Sequence, residues 1–161
     1  MPAQTIKTLK FKAPQKFRVE KVENQDSVLL AMANAKIVTI DSFQRLIANT
    51  SYVYPDELNA TEIFLFHNNS DGSISLKSKG NGLFVCLDVD FLFASCNESV
   101  SDQNREKFKI QCFSHLDKLG ECKVFTLRSI GTDKLVTIGE GDGLLRVSFW
   151  KNFHRSSKVH F

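Results

Sequence analysis

Short runs in which apolar and polar residues alternate cover most of the chain, and they predict strands of about five residues rather than helices. Three stretches share one order: SVLLAMANAKIVTI at 27–40, SISLKSKGNGLFVCL at 73–87 and KVFTLRSIGTDKLVTI at 123–138. Each opens with an alternating run, crosses a small polar turn and returns as an apolar strand carrying Val38, Val85 or Val136. Leu30, Leu76 and Leu127 fall at matching places and are expected to be the inward residues of the first run. A further strand follows in each copy, LIAN at 46–49, LFAS at 92–95 and LRVS at 145–148. The separations are 16 residues from Leu30 to Leu46, 16 from Leu76 to Leu92 and 18 from Leu127 to Leu145.

A fourth kind of strand has a central aromatic: EIFLFH at 62–67, EKFKIQ at 106–111 and KVHF at 158–161, with KFRVEK at 16–21 of the same type. Phe17, Phe64, Phe108 and Phe161 are separated by 47, 44 and 53 residues, one element more than three repeats need. Pairing of the first strand with the last would account for the surplus and remove an exposed sheet edge. A natural protein that continues past KVHF is the alternative. The best helical candidate is FSHLDKLGE at 113–121, where Gly120 could end a single turn.

Threefold recurrence of four-strand units selects one all-β architecture, the β-trefoil of three four-stranded repeats with pseudo-threefold symmetry. A sandwich is the alternative, but nothing in a sandwich requires a third copy. The reading is one domain over 1–161, with a basic leader at 1–15 and repeats at about 16–61, 62–105 and 106–161. At 161 residues with 42% hydrophobic content the chain can bury a substantial core. Fourteen Phe against one Trp and two Tyr suggest a core filled by a repeated aromatic that brings no polar group with it.

The sequence around 74–110 resembles the fascin-like group of β-trefoils. ISLKSKGNGLFV at 74–85, LFAS at 92–95 and EKFKI at 106–110 carry the resemblance, while the first copy has ANAKIV and the third GTDKLV where the glycine turn should be. The resemblance spans nearly the whole chain from Phe17 and rests mostly on core and turn positions. It implies either a carbohydrate-binding appendage or an actin-binding protein module. A single trefoil lacks the second actin site that filament bundling needs unless it dimerises. The Gln-x-Trp signature of ricin-type lectins is absent, the one Trp lying in SFWKN at 148–152.

Charge placement changes the picture more than overall charge, which is only +3. Residues 1–21 hold Lys7, Lys10, Lys12, Lys16, Arg18 and Lys21 against Glu20 alone, and residues 144–161 hold Arg146, Lys151, Arg155 and Lys158 with no acid. Closure of the trefoil would bring these segments, with Phe149, Trp150 and Phe153, to one end of the barrel. The expected ligand-binding residues are Lys10, Lys12, Lys16, Arg18, Arg146, Trp150, Lys151, Arg155 and Lys158. A basic, aromatic-bearing end suits a glycan or an acidic protein surface such as actin, with nucleic acid a weaker fit. A basic leader beside core aromatics is the competing reading.

Catalysis and cofactors find no support. His67, His115, His154 and His160 have no partners at metal-ligand spacing. Asp88 and Asp90 read as a hairpin turn, a cation or polyol site being the alternative, and GEGDG at 139–143 as its counterpart in the third repeat, too short for a calcium loop. No nucleophile has an activating context, so a non-enzymatic, monomeric recognition module without cofactor is expected. Cys86, Cys96, Cys112 and Cys122 lack CxxC spacing and read as free, buried thiols, a structural disulfide being the alternative. Sequons at Asn49, Asn59, Asn68 and Asn97 matter only in a secreted eukaryotic protein. With no apolar run near the roughly 20 residues of a membrane helix and no secretory leader, the expected location is cytoplasmic and away from membranes.

Overall fold

The computed structural model describes residues 15–23, 26–51, 57–97, 104–112 and 123–148. Their strands fall into three sets. The first holds β1 (Phe17–Glu23), β2 (Asp26–Ala31), β3 (Lys36–Ile40) and β4 (Leu46–Thr50). The second holds β5 (Phe64–Asn68), β6 (Ile74–Ser78), β7 (Phe84–Asp88) and β8 (Phe91–Cys96). The third holds β9 (Phe108–Cys112), β10 (Val124–Ser129), β11 (Leu135–Ile138) and β12 (Leu145–Ser148). A 3-10 turn, Ala60–Glu62, precedes β5.

Pairing of the first two strands of each set is cyclic and antiparallel throughout. Phe17 faces Ala31 across β1 and β2, Ser27 faces Phe64 across β2 and β5, and Phe64 faces Ser78 across β5 and β6. Ile74 then faces Phe108, Phe108 faces Ser129, and Phe125 returns to Phe17. Six strands thus close on themselves and leave no free edge. The remaining strands form hairpins whose inner members β4, β8 and β12 meet at one end. Three equivalent bonds join them: Ala48 N–H to the Gly143 carbonyl (2.8 Å), Ala94 to Gln44 (2.8 Å) and Val147 to Asp90 (3.0 Å). Closed ring, converging hairpins and threefold recurrence make this all-β fold a β-trefoil of three four-stranded repeats.

The aromatic strand opens each repeat rather than closing it. β1 is flanked on both sides, by β2 and β10, so the ring closes without a surplus strand. KVHF at 158–161 and the helical candidate at 113–121 lie outside the described residues.

The interior repeats with the strands. Phe17, Phe64 and Phe108 are fully buried, and so are Leu46, Leu92 and Val85, with Val38. Val136 and Leu145 complete their sets at 1% exposure. One expectation is corrected by a single position. Phe17, Phe64 and Phe108 face Ala31, Ser78 and Ser129, so Leu76 and Leu127 match Leu29, and it is Leu29 that is fully buried while Leu30 is half-exposed. The Leu29–Leu30 doublet hides the alternation, and the ring's register decides it.

The divergent turns share one backbone. Ala35 N–H donates to Ala31, Gly82 to Ser78 and Asp133 to Ser129, at 2.9, 2.8 and 2.7 Å. All three residues have positive φ, 59°, 74° and 60°. Only the second copy fills the position with glycine, so Ala35 carries the steric cost of a left-handed conformation, about 1–2 kcal/mol, and Asp133 a smaller one because aspartate tolerates that region better.

The register predicts a contrast within the doublet. Leu29→Ala should cost about 2–5 kcal/mol of unfolding free energy, as expected for a core leucine, and Leu30→Ala less than about half as much. Urea titration of the two variants checks this, and equal losses would contradict the assignment.

Candidate functional site

Of the nine residues expected to bind a ligand, the described part of the structure places three. Lys10, Lys12, Trp150, Lys151, Arg155 and Lys158 lie outside the described residues. Gln15, just before β1, accepts a hydrogen bond from Ile138 N–H through its side-chain Oε1 at 2.6 Å, and Ile138 pairs with Leu145 at the start of β12. Gln15 is thereby tied to the β11–β12 hairpin at the end of β11. Lys16 follows, its carbonyl accepting from Met32 N–H at 3.0 Å. Arg18 sits on the outer face of β1 with its Nε 3.5 Å from Glu20 Oε2 and 46% of its side chain exposed.

Arg146 is held by a local carboxylate. Its Nη2 donates to both Asp142 oxygens, at 2.8 and 2.6 Å, and its guanidinium lies 4.8 Å from the centre of the Phe91 ring. Nε is left buried and without a hydrogen-bond partner. The carboxylate of Asp142 also accepts from Leu144 N–H at 3.0 Å, the leading cause that holds its carboxyl below the usual range; burial opposes this, and Arg146 reinforces it. Gly139 makes the clamp possible, because a Cβ there would overlap both Asp142 Oδ1 and Arg146 Nη2. GEGDG is thus a turn built around an ion pair.

The same device recurs in the first repeat. Arg45 Nε donates to Asp41 Oδ2 at 2.8 Å, and its guanidinium stacks 5.1 Å from the Phe43 ring. The sequence carries a sign of this that charge counting missed: Asp and Arg four residues apart across a hairpin, as Asp41–Arg45 and Asp142–Arg146. Among the described residues the three hairpin tips hold Asp41, Asp88, Asp90, Glu140 and Asp142 against Arg45 and Arg146. Asp88 and Asp90 flank Val89 in the β7–β8 turn, as expected, with Val89 at φ 60°.

His67 is exposed on β5, and the other histidines lie outside the described residues. No group of three His, Cys, Asp or Glu residues could hold a metal among the described residues. Cys86 is free and buried, and Cys96 is free and half-buried. Cys112 is disulfide-bonded, which corrects the expectation of a free thiol there, while Cys122 lies outside the described residues. Burial pushes the Cys96 thiol up to about 12, with a hydrogen bond to Cys86 adding to the shift. Cys86 Sγ lies 3.2 Å from Ser95 Oγ.

A third cation–ring pair lies away from the tips. On the outer face of β5, β6 and β7, Lys77 Nζ sits 5.5 Å from the centre of the Phe84 ring. The His67 ring meets Phe84 edge-on at 6.0 Å between centroids. Leu65 lies directly across from Lys77 on β5.

No protein-family model matches the sequence. No curated protein matches it either. Among solved structures, the chain is similar to the BEL β-trefoil in an apo crystal form, with a TM-score of 0.53 and 12% identity over 88% of this chain and 90% of that one. It is also similar to Cry35Ab1, with a TM-score of 0.50 and 13% identity over 88% of this chain. The chain spans only 33% of the length of Cry35Ab1. Identities this low carry the fold and no site residue.

Two outcomes follow from the site chemistry. Arg146→Ala and Asp142→Asn should each lower stability by about 1 kcal/mol or less, and the double variant should lose less than the sum, since both remove one interaction. A double-mutant cycle from urea midpoints measures the coupling. Separately, iodoacetamide should alkylate Cys96 in the folded protein at pH 8 at least about tenfold more slowly than in urea, because little of a thiol pushed up to about 12 is ionised there. Peptide mass spectrometry follows the rate, and equal rates in both conditions would refute the shift.

Proposed function

We propose that this protein is a non-enzymatic recognition module, lectin-like in its action, that binds an anionic glycan where its two basic segments leave the fold. The observation that supports the reading is the Gln15–Ile138 hydrogen bond of 2.6 Å next to the Ile138–Leu145 pair. It ties the end of the N-terminal basic segment, which carries Lys10 and Lys12, to the β11–β12 hairpin, whose second strand leads toward Trp150, Lys151, Arg155 and Lys158. Cations gathered there attract sulfate and carboxylate groups, and Trp150 offers an aromatic face for a sugar ring. Arg18 contributes from the adjoining strand. Arg146 supports the corner through its clamp and does not contact the ligand.

A second reading has its own observation. Phe43 is 70% exposed and Val89 82% exposed on the tips of neighbouring hairpins, and Arg45 is stacked on Phe43. Exposed aromatic and arginine side chains are the usual anchors of protein interfaces. This favours a protein-interaction module of the kind found in actin-binding fascins, using the hairpin end rather than the basic corner.

Binding to immobilised heparin distinguishes the two. The glycan reading expects retention that falls as salt screens the charges and weakens at least about tenfold on joint reversal of Lys151 and Arg155 to Glu. Cosedimentation with filamentous actin, lost in Phe43→Ser and kept in the Lys151/Arg155 variant, is the result that favours the protein reading instead. No retention on heparin at low ionic strength would sink the glycan assignment.

A further inference from the structure

Because the three repeats share one backbone, each outer-face position occurs three times, and differences among the copies mark what the fold does not require. One row crosses the first three strands of each repeat. In the first it reads Arg18, Leu30, Ile37; in the second Leu65, Lys77, Phe84; in the third Lys109, Arg128, Leu135. The third position is buried in two copies, Ile37 at 0% and Leu135 at 6% exposure, whereas Phe84 is only half-buried. The cations also differ. Arg18 lies 3.5 Å from Glu20 and Arg128 lies 3.6 Å from Asp133 Oδ1, while Lys77 is held over an aromatic ring with no carboxylate paired to it among the described residues. Where the first repeat has Glu20 and the third Gln111, the second has His67, its imidazole in T-shaped contact with Phe84.

The second repeat therefore presents an apolar patch, Leu65 and Phe84, bordered by an ammonium and an imidazole. The nearby acids are already engaged or hidden. Asp26, across from Leu65, is bonded to Lys79 at 2.6 Å, and Glu106 is fully buried. A ring quadrupole holds Lys77 in place without neutralising it, so its charge stays available to an anion.

We propose that Leu65, His67, Lys77 and Phe84 form a second binding site, separate from the basic corner, for a pyranose ring that carries a sulfate or a carboxylate. The C–H face of the sugar packs on Phe84 and Leu65, whose apolar surface is otherwise wet. The anionic substituent takes Lys77 Nζ and an imidazole N–H of His67 as donors. A neutral sugar forfeits the charged contact, and an aliphatic anion forfeits the ring contact, so the site selects for both features on one small unit. A single such unit makes few contacts and binds weakly, which suits a site that adds to a first one along a longer chain.

The test is titration of the protein, and of variants checked for unchanged urea midpoints, with a sulfated disaccharide and its desulfated counterpart, read by NMR at the His67 and Phe84 rings. The expected result is saturable shifts at both rings with the sulfated sugar only. Lys77→Ala and Phe84→Leu should each weaken the binding at least about tenfold. The Lys151/Arg155 reversal should leave it within about twofold. Unchanged binding in Lys77→Ala and Phe84→Leu would overturn the proposal, and so would absence of any shift at His67 in the unaltered protein. Failure here leaves heparin retention by the basic corner unaffected, whereas loss of heparin retention with intact disaccharide shifts removes the corner and keeps this site.

Discussion

The constraint on which the rest depends is that a six-stranded ring closed upon itself must be filled from three equivalent directions. Phe17, Phe64 and Phe108 do this, each fully buried and each entering from the first strand of its repeat. Opposite each ring stands a small residue, Ala31, Ser78 or Ser129, so that large and small side chains face one another across the pairing. Two of the small residues also serve the turn that follows. Ser78 Oγ accepts from Gly80 N–H at 3.1 Å and Ser129 Oγ from Thr132 N–H at 3.4 Å, so core packing and turn geometry are fixed by one side chain. Ala31 meets the packing need alone, and its turn still takes the same course.

That course explains which parts of the fold could be read in the sequence. Valines and leucines of the third and fourth strands stood out because they alternate cleanly, and they occupy the core as expected. The turns look unequal when glycine is read as their sign. Asparagine is the better one: Asn34 and Asn81 each accept from a backbone N–H two residues on, and each donates from Nδ2 to the carbonyl of Ala48 or Ala94. A side chain that ties the turn to the fourth strand matters more there than freedom at φ. The expectation of Leu30 as the inward residue falls one position from Leu29 because a leucine doublet has no period of two.

The site was less legible, for a physical reason. Counting charges along the chain cannot tell a free cation from a clamped one, and Arg146 is clamped by a carboxylate four residues back. The repeats also differ in how well they satisfy their buried polar groups. Two residues before each ring-filling phenylalanine stand Gln15, Glu62 and Glu106. Gln15 accepts from Ile138 N–H, and Glu62 Oε1 accepts from Asn59 N–H at 3.0 Å. Glu106 is fully buried with neither oxygen hydrogen-bonded, although its backbone carbonyl is held by Ser75 Oγ at 2.8 Å. An unpartnered buried carboxyl costs stability. Closed pairing around it keeps the strand in place nonetheless.

Pseudo-symmetry then separates the demands of folding from everything else. A position that the ring needs must be filled in the same way three times, and Phe17, Phe64 and Phe108 show no variation at all. Outward positions on the same strands are under no such demand, since water accepts almost any side chain there. Glu20, His67 and Gln111 share one backbone environment and have nothing else in common. A residue that differs between copies, keeps a hydrophobic or charged surface exposed and is not closed by a neighbour is one that folding alone does not explain. In this trefoil that description fits the half-exposed Phe84 with Lys77 held against it, and it does not fit Arg146, whose charge the third repeat has already used to shape its own turn.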